Sequence, residues 1–269
     1  MTRIVHISDL HFGREVPALV TALERQIAAL APDLVVVSGD LTQRARRREL
    51  SAAAAFIERL PRPLLVVPGN HDIPGVTPAR FIDPWRGWRR HFPGGLDPVV
   101  EAGEYLAVGA SSTRSWGPYL DWSRGRLGRE QIEQLAMRFA ASVGRLRILV
   151  VHHPLLLSAD AAHRGLVGRS ALALARLRQG GLDLALGGHV HLGYAGVAEG
   201  IVVAHAGTAV SDRLVGEANG FNLIVGDHRS LAVEHWHWQE QAYVPVSGAC
   251  FERGDAGWRE VVELAGGIL

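Results

Sequence analysis

The chain has 269 residues, 48% of them hydrophobic and 20% charged, with a net charge of +1. That composition supplies a sizeable core and excludes a disordered or strongly basic protein. All 28 Lys-plus-Arg residues are arginine and Cys250 is the single cysteine, which excludes a phosphate-loop or Schiff-base lysine, an intramolecular disulfide and a cysteine-rich zinc site.

In chain order, the apolar run Arg3–Ser8 predicts a first strand. Val16, Leu19, Leu23, Ile27 and Leu30 then recur at helical spacing. A strand over Leu34–Ser38 follows, then a helix carrying Leu50, Ala53, Ile57 and Leu60, then a strand over Leu64–Pro68. From Ile73 to Gly103 the periodicity stops. This Pro-, Gly-, Arg- and Trp-rich stretch reads as a long insertion over one rim, its aromatic residues forming a small satellite core or touching substrate. Strands are predicted over Tyr105–Ala110 and Arg147–His152, flanking a helix with Ile132, Leu135, Phe139 and Val143. A helix over Ser170–Gln179 precedes strands at Leu182–Gly187, Ile201–Ala206, Phe221–Val225 and Leu231–Trp236. The final segment, Gln239–Leu269, reads as a cap or as a surface for a second chain, so monomer and homodimer both stay open. The continuously apolar strands suit burial on both faces, and the order predicts one layered α/β domain with antiparallel pairs in its later half. The N-terminal Arg3–Asp9 is too short and polar for a signal peptide, and no apolar run is long enough for a bilayer. A cytoplasmic protein with no membrane partner is the expectation.

Five short motifs each follow a predicted strand: Asp9-Leu-His11, Gly39-Asp40, Gly69-Asn70-His71-Asp72, His152-His153-Pro154 and Gly188-His189-Val-His191. Loops leaving the carboxyl ends of neighbouring strands meet at one sheet edge, so these distant residues converge. Carboxylate, amide oxygen and imidazole without thiolate suit Mn, Fe, Co or Zn, with Mn or Fe favoured. Asp9, His11, Asp40, Asn70, His152, His189 and His191 are too many ligands for one ion, which implies two divalent metals with Asp40 the best bridge. Such a pair, roughly 3.5–4 Å apart, attracts a phosphate ester, stabilises charge at phosphorus and supplies a hydroxide nucleophile near neutral pH.

The ordered set of motifs resembles the calcineurin-like metallophosphoesterase superfamily. The resemblance implies a four-layer α-β-β-α sandwich of two facing mixed sheets. It implies one metal on Asp9, His11, Asp40 and His191, and another on Asp40, Asn70, His152 and His189. It further implies attack by a metal-bridging hydroxide, with His71 facing the substrate without binding metal, to protonate the leaving oxygen as general acid or to stabilise charge on the phosphate, and Asp72 orienting His71. Asp9-Leu-His-Phe-Gly13, Gly39-Asp-Leu-Thr42 and Gly69-Asn-His-Asp-Ile-Pro74 look most like bacterial class III cyclic-nucleotide phosphodiesterases. The expected partner is therefore a small phosphodiester, with 3′,5′-cyclic nucleotides such as cAMP first. The alternatives are a phosphomonoesterase, or a nuclease, which the near-neutral charge disfavours. A non-catalytic metal-stabilised module would need lost ligands, and none is missing.

Around this set, His153 and His163 are candidate substrate contacts, with packing the competing role for His153. His6 reads as a core histidine and His205 as a support behind a ligand. His235 and His237 alternate with Trp236 and Trp238 as in a half-buried strand. The run Arg44, Arg46, Arg47 and Arg48 reads as a solvated helix start, with steering of anions the alternative.

Overall fold

The computed structural model of the chain describes residues 1–116 and 123–265, without the side chains of 263–265. In order, the elements are β1 (Thr2–Ile7), α1 (Pro17–Leu30), β2 (Leu34–Val37), α2 (Arg47–Arg59), β3 (Leu64–Val66), a 3₁₀ turn at Asn70–Asp72, α3 (Pro78–Ile82), α4 (Arg86–His91), β4 (Val99–Glu101), β5 (Tyr105–Gly109), α5 (Arg129–Ala140), β6 (Leu146–Val150), α6 (Ser170–Gln179), β7 (Leu184–Gly187), β8 (Tyr194–Ala198), β9 (Ile201–His205), β10 (Gly220–Gly226), β11 (Ser230–Gln239), β12 (Ala242–Gly254) and β13 (Gly257–Ala265).

The strands form two mixed sheets, in the orders β13-β12-β11-β10-β1-β2-β3 and β4-β5-β6-β7-β9-β8. Alternation along each strand sorts side chains into three apolar layers, because successive residues point to opposite faces. Ile4, Leu34 and Val36 of the first sheet meet Ile148, Leu184 and Val202 of the second in the central core. Val5, Ile7, Val35 and Val37 point the other way, onto Leu19, Leu23 and Ile27 of α1 and Ala53 and Phe56 of α2. Leu106, Val108, Leu149 and Val203 pack on Ile132 and Phe139 of α5 and Leu177 of α6. These three cores make the expected four-layer α-β-β-α sandwich of two facing mixed sheets, and they explain why strands buried on both faces read as unbroken apolar runs.

Helix starts follow local chemistry. α1 opens on Pro17, whose missing N–H costs nothing in a first turn. Buried Glu49 accepts hydrogen bonds from the backbone N–H of Arg44 and Arg46, at 2.8 and 3.2 Å, and so fixes the entry to α2. In the stretch after Ile73, Trp88 of α4 is fully buried against Phe92, with ring centroids 4.3 Å apart, and joins the outer core of α1 and α2. Its indole N–H donates to the Gly95 carbonyl at 2.8 Å, so Trp88 packs and does not face a ligand. Buried Arg80 donates to the carbonyls of Pro74, Arg114 and Ser115 and ties that stretch to the rim.

Two features depart from the sequence expectations. The α5 stripe ends at Phe139, and Val143 is exposed beyond it. Strands β4 and β8 are half-exposed edges of the second sheet, whose mixed composition gave no apolar run. The final segment forms β12 and β13, extending the first sheet in antiparallel register. Pro245 sits in β12 where the β11–β12 register shifts between His235 and Trp236, and a bulge is where a strand tolerates a residue without N–H.

Candidate metal centre

The parallel run β1-β2-β3 of the first sheet and β5-β6-β7-β9 of the second carry their carboxyl ends to one end of the sandwich. Asp9 and His11 leave β1, Asp40 leaves β2, Asn70 and His71 follow β3, His152 follows β6, and His189 and His191 follow β7. The chain turns sharply at these points. Asp9, His11, Asp40, His189 and His191, five of the seven candidate ligands, adopt positive φ between 46° and 74°. Non-glycine residues in this region cost about 1–3 kcal/mol each and persist only where the surroundings impose them. Gly39, at φ 99°, makes the turn before Asp40; a β-carbon there would lie 2.6 Å from His152 Nδ1, so only glycine lets the β2 loop pass the imidazole.

The donor atoms converge. Asp9 Oδ1 lies 3.2 Å from His191 Nε2 and 3.6 Å from His11 Nε2, and those two ring nitrogens face one another at 3.1 Å. Asp40 Oδ2 lies 3.4 Å from His152 Nε2 and 3.9 Å from His11 Nε2. Asn70 Oδ1 is 3.2 Å from His152 Nε2. Donor atoms of Asp9, His11 and His191, and those of Asp9, Asp40 and His152, lie within 4.8 Å of one another. His189 comes beside His152, with ring centroids 5.2 Å apart, and its backbone N–H donates to Asp9 Oδ2 at 2.9 Å.

The far side of most donors is already engaged by protein. Asp9 Oδ2 accepts from Ser8 Oγ at 2.7 Å, and Asp40 Oδ1 accepts from the His71 backbone N–H at 2.8 Å. His152 Nδ1 donates to the Ser38 carbonyl and His191 Nδ1 to the Arg213 carbonyl, at 2.8 and 2.7 Å, which leaves each Nε2 directed at the centre. Asp9 Oδ1 is buried with no hydrogen-bond partner. A buried carboxylate oxygen in that state needs a cation, and the surrounding oxygen and imidazole donors suit a divalent metal.

Electrostatics agree. Burial opposes ionisation of Asp9 and Asp40, yet the facing histidines, His191 and His152 foremost, hold both carboxyls well below the usual range. Burial opposes the charge on His152 too, but the Asp40 carboxylate beside it pushes that imidazole up to about 9. The His152–Asp40 contact at 3.4 Å is thus an ion pair that shares one proton.

Several predicted roles change. Asp72 does not reach the His71 ring by any hydrogen bond. His71 Nδ1 bonds to the Gln43 carbonyl at 2.7 Å, whereas the Asp72 carboxylate accepts from Leu41 N–H, Gly69 N–H, Thr42 N–H and Thr42 Oγ1 at 2.8 to 3.1 Å. It therefore clamps the β2 and β3 loops together. Burial, reinforced by nearby Asp40, pushes Asp72 up to about 6. His153 is buried with both nitrogens engaged, by Ser112 Oγ at 2.8 Å and the Ser123 carbonyl at 2.7 Å, so it is not a substrate contact. Its donor atom lies near those of His152 and His189, but a ring with both nitrogens occupied has no lone pair to give. Burial and adjacent His152 push it down to about 3. His163 is exposed and does not line the cavity over the centre; its neighbour Arg164 does. His6 sits in the core between Ser38 Oγ and Asn222 Nδ2, and His205 Nδ1 bonds to the Gly188 carbonyl behind His189, at 3.2 Å.

The cavity over the centre, about 370 Å³, is lined by Asp40, Asn70, His71, His189 and His191 together with Arg164 and Arg213. Sequence reasoning missed both arginines. Arg213 Nη1 lies 3.2 Å from His71 Nε2, 3.3 Å from His11 Nδ1 and 3.4 Å from Gln43 Oε1. Glu217, four residues on, accepts from the Gly193 N–H and so links the Arg213 loop to the loop after His191. Nothing in the local sequence distinguishes these residues, because their loops meet the centre only through the fold. Among the described residues no helix is long and apolar enough to cross a membrane.

Comparison with known proteins bears on this geometry. A curated relative, the UDP-2,3-diacylglucosamine pyrophosphatase LpxG of Chlamydia muridarum, is 37% identical over 73 residues, covering 26% of this chain and 22% of that protein. The glycerophosphodiester phosphodiesterase GpdQ of Enterobacter lignolyticus is 36% identical over 80 residues, covering 26% of this chain and 29% of that protein. These matches thus span less than a third of the relatives' length. A dimetal phosphatase from Danio rerio superposes with a TM-score of 0.62 at 13% identity, over 87% of this chain and 95% of that one, which is a likeness of fold. The family model described as "Calcineurin-like phosphoesterase" matches residues 2–193, from β1 to just beyond His191. With the sandwich, the cluster of oxygen and imidazole donors and this match in agreement, the chain belongs to the calcineurin-like phosphoesterase family.

Proposed function

We propose that the chain is a binuclear phosphodiesterase acting on small diesters, with cyclic nucleotides among the substrates to test first. One cation would be held by Asp9, His11, Asp40 and His191, the other by Asp40, Asn70, His152 and His189, with manganese or iron favoured. The observation that carries the reading is the buried, unpartnered Asp9 Oδ1 at the focus of imidazole and carboxylate donors whose other atoms are tied to protein. Two relatives whose names concern a phosphodiester and a pyrophosphate support a substrate with an organic group on each side of the phosphorus linkage.

When bound, the cations would polarise the phosphoryl oxygens and lower the pKa of water. The chain's own contribution is order and proton supply. The Ser38 and Arg213 carbonyls fix the tautomers of His152 and His191. The Gln43 carbonyl holds His71 Nδ1, so Nε2 is the atom that faces the cavity. To act as general acid, His71 must carry a proton on Nε2, and so Arg213 must leave that nitrogen as substrate enters.

The test is a substrate panel with metal-loaded protein: bis(4-nitrophenyl) phosphate, 3′,5′-cAMP, 4-nitrophenyl phosphate and single-stranded DNA, each with added Mn and with chelator. Diester turnover abolished by chelator supports the reading. Faster turnover of the monoester than of every diester overturns the diesterase assignment. His71→Ala should retain both metals and lose about 10²–10⁴-fold in kcat; unchanged kcat removes its role as acid.

A further inference from the structure

Two guanidinium groups flank the cavity from opposite sides. Arg213, on the loop between β9 and β10, reaches the His11 and His71 side. Arg164, on the loop between β6 and α6, reaches the other side, its Nη2 3.5 Å from His189 Nε2. No carboxylate among the described residues lies within ion-pair distance of either one. Arg14, by contrast, pairs with Asp212 at 2.7 Å, one residue before Arg213. A guanidinium resting on imidazole nitrogens makes weak use of a fork shaped for two oxygens of a carboxylate or phosphate. Arg213 is also anchored: its carbonyl accepts from the ring Nδ1–H of His191 at 2.7 Å, which fixes its backbone to the centre.

Charge sets what these groups are for. Asp9 and Asp40 offset part of the charge of two divalent cations, and the arginines add two positive charges on the flanks. A simple diester brings one negative charge, which the cations and one guanidinium suffice to hold. A diphosphate diester brings two charges on adjacent phosphorus atoms. Resting on the assignment of the centre as a phosphodiesterase site, we infer that Arg213 and Arg164 form a two-sided grip for a diphosphate linkage. One arginine holds the phosphoryl group that is attacked, and the other holds the phosphoryl group beside it. The favoured substrate class is then a diphosphate joined at both ends to organic groups. Hydrolysis places water's oxygen on the attacked phosphorus, breaks its bond to the bridging oxygen, and leaves two phosphomonoesters, with the proton from His71 going to the departing oxygen.

Three ligands with a common adenosine and rising charge test this on metal-loaded protein: 3′,5′-cAMP, AMP and α,β-methylene-ADP. Binding is followed by calorimetry, and metal content is measured afterwards to exclude stripping. Wild-type protein should bind α,β-methylene-ADP at least about tenfold more tightly than cAMP, with AMP between them. Arg213→Gln and Arg164→Gln should each weaken the diphosphonate about tenfold and cAMP less than threefold, and Arg213→Lys should restore part of the loss. In parallel, kcat/KM for ADP-ribose should fall in both variants more than kcat/KM for bis(4-nitrophenyl) phosphate. Equal losses for cAMP and the diphosphonate, or no loss in either variant, overturn the grip. AMP binding as tightly as the diphosphonate overturns the diphosphate assignment in favour of a single dianionic phosphate. Failure of the underlying phosphodiesterase reading looks different: wild-type protein would not hydrolyse bis(4-nitrophenyl) phosphate at all.

Discussion

Replacing Gly39 by alanine probes how the β2 loop passes the candidate centre. At φ 99° the residue lies where an L side chain is strained, and its β-carbon would sit 2.6 Å from His152 Nδ1 and 2.9 Å from Gly69 N. Ordinary contact begins near 3.4 Å, so His152 or the loop must yield by about 0.8 Å. His152 cannot yield freely, because the same Nδ1 is held at 2.8 Å by the Ser38 carbonyl. Two costs therefore add: about 1–2 kcal/mol for alanine at positive φ and about 1–3 kcal/mol for overpacking a buried site. Gly144→Ala and Gly103→Ala separate them. Gly144 has φ 80° and Gly103 has no such constraint, and an added β-carbon at either meets nothing within 4 Å. The expected order of destabilisation in urea unfolding is Gly39→Ala above Gly144→Ala above Gly103→Ala, the last within ~0.5 kcal/mol of wild type. Displacing a candidate ligand imidazole by most of an ångström should also cost about 10²-fold in kcat/KM. Metal analysis should show less than two equivalents bound in Gly39→Ala and full occupancy in the controls. If Gly39→Ala binds metal fully, turns over like wild type and matches Gly144→Ala in stability, the contact with His152 carries no weight.

Asp72→Asn should lower stability by about 2–4 kcal/mol, because an amide nitrogen turns a donor toward N–H groups that the carboxylate now satisfies. Urea unfolding measures the loss, and a stability within ~0.5 kcal/mol of wild type would remove Asp72 as the clamp between the β2 and β3 loops. Glu217, its side chain 18% exposed and 3.7 Å from His237 Nε2, is pushed up to about 7 by burial, against the Gly193 N–H that favours its charge. A carboxyl raised in the folded state contributes stability fully present below about 4.5 and lost as pH rises through about 7, by up to about 3 kcal/mol. Glu217→Gln should flatten that decline in unfolding measured from pH 4.5 to 7.5, and an unchanged slope would remove Glu217 as its source. His152, at about 9 without metal, is protonated at pH 7.5 and must release that proton to bind a cation. Calorimetry of Mn binding in two buffers of different ionisation enthalpy should register close to one proton released or more; zero release refutes the His152–Asp40 proton pair.

The sequence by itself determined the alternation of apolar strands and helical stripes, and it marked the candidate ligands, because both are local. A strand buried on both faces must be apolar throughout, and a donor placed just after it needs only a Gly, Asp, Asn or His at a turn. Asp9, Asp40, His152 and His191 are legible for that reason. The mixed edge strands β4 and β8 and the half-polar β12 and β13 were not, since one wet face dilutes the apolar signal. Tertiary structure alone decided that the Gln43 carbonyl, and not Asp72, holds His71, and that both nitrogens of His153 are taken. It also decided that Arg164 and Arg213, 49 positions apart, face one cavity. Hydrogen bonds between loops depend on where two sheets bring their strand ends together. No run of neighbouring residues encodes that distance; the packing of Ile4, Leu34 and Val36 against Ile148, Leu184 and Val202 sets it.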